Sequence, residues 1–119
     1  MTEQLRHGGV YLVNLNPARK KAPAEMSKVR PAVVIQTQAL LDVNHSSAII
    51  VPLTTNLKAN NLLRYRIPAQ GSLQEDSDCV LDQIKSIDLK RFVSLSPLYV
   101  LPEQEVMQLL KALVVLLKP

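Results

Sequence analysis

The first periodic segment of the chain runs from Gly9 to Pro17. Tyr11, Val13 and Leu15 alternate there with more polar neighbours until a proline closes the run, which predicts a strand over about 9–15. From 16 to 29 no apolar period survives, and Lys, Arg, Pro and Ala predominate, so this stretch reads as a loop. Arg30-Pro31 then opens the β-branched run to Ile35, a second strand, and Gln36 to Leu41 predicts a short helical turn. The polar segment from Asn44 separates that turn from Ala48 to Val51, a third strand ending at Pro52. Leu63 to Ile67, alternating with Arg64 and Arg66, predicts a fourth strand with a basic outer face. Gly71 to Asp78 reads as a turn region, Cys79 to Asp88 as one strand with a kink, and Ser94 to Tyr99 as a further short strand. Beyond Pro102, residues Val106, Leu109, Leu110, Leu113, Leu116 and Leu117 recur at helical spacing, and Glu103 and Glu105 suit the positive end of a helix dipole. A helix over 103–118 follows. More than half of its circumference is apolar, so it either buries two faces or meets a second copy of the chain.

Five to six short strands separated by turn signals, with one terminal helix, predict a mainly β fold. A small curled sheet or barrel suits such strands because closure leaves few open edges. The 119 residues, 47% of them hydrophobic, fit a single domain over 1–119 with enough apolar surface to offset chain entropy. A lone cysteine, Cys79, excludes an internal disulfide, and no signal-peptide pattern precedes Gly8-Gly9, so the cytoplasm is the expected compartment. The longest apolar run, Ala112 to Leu117, is far too short for a bilayer span, and no membrane association is expected.

Charge sharpens this picture once it is located. The net charge is +4, with a pI near 9.4. Residues 1–30 hold six basic and two acidic side chains, whereas 31–119 hold eight of each, so the whole excess belongs to the N-terminal quarter. Most of it lies between Arg19 and Arg30. A polyanionic partner is therefore permitted, and with only three tyrosines and one phenylalanine the chain is too poor in aromatics to read RNA by stacking. Recognition would rest on charge and hydrogen bonds.

Candidate chemistry falls in three places. The basic loop carries Lys20, Lys21 and Lys28, and also Glu25 five residues before Arg30, which Pro31 pins to a strand start; it is either a solvated surface loop or one that brings acid and base together. Thr54 and Thr55 follow a β-branched strand, where hydroxyls either satisfy turn backbone or bind phosphate. Asp82-Gln83 interrupts a run of aliphatics and either satisfies loop backbone or lines a polar pocket. His7 and His45 have no partner at ligand spacing and read as surface histidines, and Glu75 to Asp78 lacks the pattern of a calcium loop. Neither a phosphate-cradling glycine motif nor a Gly-x-Ser-x-Gly elbow is present. No metal and no cofactor is expected.

Together these segments resemble the MazF/PemK family of toxin endoribonucleases. Four blocks match in order: Gly9 to Pro17, Glu25-x4-Arg30-Pro-Ala-Val-Val-Ile35, Val51-Pro-Leu-Thr-Thr55, and Leu81-Asp-Gln-Ile-Lys-Ser-Ile-Asp88. The resemblance implies an SH3-like small barrel of the CcdB/PemK type, a homodimer, and metal-independent cutting of single-stranded RNA at short sequences. It also implies a cognate antitoxin with an acidic C-terminal segment. Arg30 and Thr54 match the family's catalytic pair, Glu25 its proposed general base, and Asp82 and Gln83 positions that line the RNA site; Lys20, Lys21, Lys28 and Thr55 are the accompanying RNA contacts. The PemK branch carries an arginine two residues before the aspartate, where this chain has Val80. A non-catalytic toxin of the same fold, of the gyrase-poison type, or an SH3-like RNA-binding module is the other class of reading. The gyrase poison CcdB acts through a terminal tryptophan segment, and this chain has no Trp.

Overall fold

The computed structural model describes residues 4–15 and 29–119. Seven strands and two helices follow one another as β1 (Gly9–Asn14), β2 (Val29–Val34), α1 (Gln38–Asp42), β3 (Ser47–Thr54), β4 (Arg64–Ile67), β5 (Ser77–Val80), β6 (Lys85–Asp88), β7 (Tyr99–Val100) and α2 (Glu103–Leu117). The strands form a curled antiparallel sheet in the order β4-β5-β3-β2-β1-β7, with β6 also paired to β3. The result is a mainly β half-barrel with a C-terminal helix, the arrangement expected from the strand and helix pattern.

β3 is the hub because it is long enough to serve two neighbours on one edge. Its first half pairs with β6 from Ser47↔Asp88 to Ile50↔Lys85, and its end pairs with β5 at Leu53↔Cys79 and Thr54↔Asp78. The kink expected within 79–88 is therefore a full break. A 3-10 turn at Leu81–Gln83 separates β5 from β6, and β5 itself begins two residues earlier, at Ser77. The strand expected over 94–99 is confined to Tyr99–Val100, where it pairs with Gly9 and Val10 of β1.

Period-two alternation sorts the strand side chains into two cores. Val10, Val33, Val51 and Leu53 face α2 and pack with its Val106, Leu109 and Leu113. Tyr11, Val13, Ala32, Val34, Ala48 and Ile50 face the other way and pack with Leu41, Ile87 and Phe92, the Tyr11 and Phe92 rings meeting edge to face at 5.8 Å. The helix comes so close to the sheet that a Cβ on Gly8, which has φ +84°, would lie 2.7 Å from Val106 Cγ2. Of the two arrangements open to α2, burial of two faces within the chain is not what the fold adopts. Its outer face carries Met107, Val114, Val115 and Leu117, all exposed. No described helix is long and apolar enough to cross a membrane.

Candidate active site

Register explains which side chains share the sheet face opposite α2. β2 pairs Ala32 with Pro52, and continuing that register two residues brings Arg30 opposite Thr54. Thr54 is opposite Asp78, and Asp78 is opposite Arg66. Arg30, Thr54, Asp78 and Arg66 thus form one row across β2, β3, β5 and β4, on one face, as directly opposed residues must. Pro52, Val80 and Arg64 lie on the same face one pleat further along.

At the β2 end of this row a cleft of about 300 Å³ is lined by Leu15, Arg30, Pro52, Leu53, Thr54, Val80, Gln83 and Lys85. Arg30, Thr54 and Gln83 are thereby brought together from positions up to 53 residues apart in sequence. The Thr54 hydroxyl accepts the Asn56 N–H at 3.2 Å, which leaves its own O–H to donate to a ligand. Both sequence-level readings of that hydroxyl, turn backbone and ligand, are thus compatible. Gln83 arrives on the 3-10 turn. Leu81, fully buried, anchors that turn to the core and its N–H donates to Leu63 O at 2.9 Å, so the two polar residues after it project outward. Asp82 and Gln83 are accordingly exposed on a turn rather than set inside a buried strand.

Thr55 is not part of this cleft. Neighbouring residues on a strand point to opposite faces, and Thr55 lines a separate cleft of about 400 Å³ with Leu12, Pro31, Ser72 and Leu98. The same alternation sends Arg30 to one cleft and Pro31 to the other. Asp82 does not line the cleft that holds Gln83. Lys20, Lys21, Glu25 and Lys28 lie outside the described residues. The chain's exit from β1 toward them is clamped by Arg91, whose Nε donates to Asn14 O at 2.7 Å and whose Nη2 donates to Leu15 O.

Two contributors had no clear sequence signal. Lys85, on β6, lines the Arg30 cleft, and only the break between β5 and β6 brings it there. Asp78, expected to be a turn acid, is instead 1% exposed at the centre of a cationic cluster. Its Oδ1 accepts from Arg66 Nε at 2.6 Å, and its Oδ2 accepts from the Lys58 N–H at 2.8 Å and from Arg64 Nη1 at 3.4 Å. Burial pushes the Asp78 carboxyl up. The Arg66 bond, the Lys58 N–H and the two guanidinium charges outweigh that effect and hold it below the usual carboxylate range. β4 is therefore not simply a strand with a solvated basic face, since Arg64 is only 15% exposed and turned onto this carboxylate.

Remaining reactive groups lead elsewhere. Cys79 is buried, and burial foremost pushes its thiol far up, which leaves it protonated and a poor nucleophile. His45 is exposed as expected, whereas His7 is half-buried, its Nδ1 2.9 Å from Gln36 O and its main-chain N–H donating to Gln38 Oε1 at 2.9 Å. Among the described residues no group of His, Cys, Asp and Glu side chains is arranged to hold a metal ion.

No curated protein sequence matches the chain. Solved structures do match it in fold. The MazE-MazF complex from Deinococcus radiodurans is 18% identical with a TM-score of 0.72, covering 98% of this chain and 97% of the other. The Mycobacterium tuberculosis toxin MazF-mt6 is 15% identical with a TM-score of 0.68, covering 88% and 91%. An endoribonuclease in complex with its cognate antitoxin from a mycobacterial species is 15% identical with a TM-score of 0.67, covering 93% and 92%. Residues 6–117, nearly the whole length, match the family of PemK-like, MazF-like toxins of type II toxin-antitoxin systems, and the chain belongs to that family.

Proposed function

We propose that this protein cuts single-stranded RNA at specific short sequences without a metal ion, using the substrate's own 2′-hydroxyl as nucleophile. The observation that supports this reading best is the cleft in which Arg30, Thr54, Gln83 and Lys85 converge on one sheet face. Two cations, a hydroxyl donor and an amide form a set suited to a phosphodiester and the base beside it. In this scheme Glu25 takes the 2′-hydroxyl proton, with Asp82 the other carboxylate in the family's site motif. The 2′-oxygen attacks phosphorus, the 5′-oxygen leaves and picks up a proton, and the products are a 2′,3′-cyclic phosphate and a 5′-hydroxyl. Arg30 stabilises the charge that accumulates on the phosphorane, and electrostatic stabilisation by its delocalised guanidinium charge is its first role. Thr54 donates to a non-bridging oxygen.

The same reading gives the protein an antitoxin whose acidic C-terminal segment competes for these cations, a homodimer joined in part through the apolar outer face of α2, and a growth-inhibiting role in the cytoplasm. The decisive experiment incubates the protein with a defined RNA in excess chelator and maps the product ends. Cyclic phosphate and 5′-hydroxyl ends are expected, and none should form when the cleaved nucleotide is 2′-deoxy. Uncut RNA would favour a binding module or a non-catalytic toxin, and sensitivity to the chelator would reject the metal-free scheme.

A further inference from the structure

A second cleft is larger than the one that holds Arg30. It lies at the opposite end of the same cross-strand row, has a volume of about 580 Å³, and is lined by Lys58, Asn60, Asn61, Arg64, Arg66 and Asp78. Its charge has an organisation that a solvated strand face does not need. Asp78, 1% exposed, collects two guanidinium groups and the Lys58 N–H, and Arg64 Nη1 also donates to Asn56 O at 2.9 Å, which ties the β3–β4 connection to the same cluster. One carboxylate against three cations leaves the cleft positive. Arg66 binds Asp78 through Nε, its side chain is 44% exposed, and neither of the two terminal nitrogens of its guanidinium makes a hydrogen bond among the described residues. A guanidinium fixed at Nε and open at Nη1 and Nη2 is prearranged for bidentate contact with phosphate oxygens. Asn60 and Asn61 supply amides at the rim, and Asn60 holds its turn at φ +52°.

We propose that this cleft binds the backbone of the same single-stranded RNA at a nucleotide remote from the scissile one, with Arg66 on a phosphate and the Asn60-Asn61 turn against the adjoining base. The inference rests on the endoribonuclease reading and extends it. The row Arg30, Thr54, Asp78, Arg66 crosses three strand-to-strand steps, about 14 Å, which is a span of a few nucleotides along an extended strand. Both clefts open on one face, and no other described acidic side chain lines either of them. Asp78 therefore acts as the internal counter-charge that fixes the arginines, and the RNA backbone answers the surplus.

The test uses the full-length protein, Arg66→Ala and Lys58→Ala, and two RNAs that share one cleavage sequence. One is trimmed to the nucleotides around the cut, and the other is extended by several nucleotides on both sides. Lys58 meets Asp78 only through its main-chain N–H, so its truncation leaves the cluster intact even if Arg66→Ala perturbs folding. For the extended RNA each variant is expected to raise KM roughly 10-fold with kcat unchanged. Binding of an extended RNA that is 2′-deoxy at the cut should lose about one unit of salt slope. On the trimmed RNA the variants should match the parent, and Arg66→Lys should restore the slope without the full affinity. Equal effects on both RNAs, or an unchanged salt slope, would overturn the assignment while leaving the endoribonuclease reading standing. Failure of the parent protein to cut either RNA would instead remove that reading and this subsite with it.

Discussion

Replacing Asp78 by asparagine probes what holds the second cleft together. Asparagine keeps the shape and one acceptor oxygen but removes the charge, which is 1% exposed and shared among Arg66 Nε at 2.6 Å, the Lys58 N–H at 2.8 Å and Arg64 Nη1 at 3.4 Å. Removing one partner of a fully buried ion pair costs about 3–5 kcal/mol. Here Arg66 is 44% exposed and water screens it in either protein, whereas Arg64, 15% exposed, loses its counter-charge in a poorly solvated place. A loss of about 2–3 kcal/mol is therefore expected for Asp78→Asn, read from urea unfolding at pH 7. The pH dependence fixes the cause. Because the folded carboxyl sits below its ordinary value, its stabilisation is complete above the unfolded pKa of about 4 and disappears as pH falls through the folded one. The gap between parent and variant should hold steady from pH 7 to about 5 and close progressively below pH 4. A gap under about 0.5 kcal/mol at pH 7, or one that stays constant through the acid range, would refute the counter-charge role.

Other perturbations separate chemistry from scaffold. Arg30→Ala should cut RNA about 100- to 1,000-fold more slowly with an unchanged urea midpoint, and near-normal cleavage by the folded variant would remove Arg30 from the reaction. Thr54→Val should lower kcat roughly 10-fold or more and leave KM close to the parent value, because its hydroxyl is assigned to the transition state; a pure KM effect would argue against that. Leu109→Ala, at a fully buried position of α2, should destabilise by about 2–5 kcal/mol in the same urea assay, and a loss under about 1 would mean that α2 does not pack on the sheet as described. Val114→Glu, on the exposed side of α2, should leave the far-ultraviolet spectrum unchanged but shift the mass measured by sedimentation from dimer to monomer; a parent protein that is monomeric at micromolar concentration would dispose of the α2 interface.

What the sequence made legible follows from which forces are local. Alternation over 9–15 and 48–51 and the helical period beyond Pro102 located β1, β3 and α2 to within a few residues, because each segment displays its own burial pattern. The break at 81–83 was not legible as a break. Leu81 is a buried anchor and continues the aliphatic run, so the 3-10 turn hides inside an apparently unbroken strand. Arg30, Thr54 and Gln83 were readable one by one as motif positions, and the cleft joins them. Asp82 and Thr55 belong to the same motif blocks, and in the fold Asp82 is exposed on the turn beside Gln83 while strand alternation sets Thr55 in a separate cleft. Asp78 was invisible for a different reason. An acid in a polar stretch resembles any turn carboxylate until the β4–β5 register sets it opposite Arg66.

The charge distribution shows the same limit. Residues 31–119 balance eight basic against eight acidic side chains, which in sequence reads as a neutral scaffold beneath a basic N-terminal quarter. In the fold that balance is divided in space. Lys58, Arg64, Arg66 and Lys85 line two clefts on the face that also holds Arg30, and of the eight acids only Asp78 joins them, buried and already engaged. Net charge governs long-range attraction, whereas the arrangement of fixed charges governs where along a strand of phosphates the protein comes to rest. Lys20→Ala with Lys21→Ala should therefore weaken RNA binding and lower its salt slope for trimmed and extended RNAs alike, whereas Lys58→Ala should do so for extended RNA alone. The contrast assigns the N-terminal excess to capture and the excess along β4 and the β3–β4 connection to register.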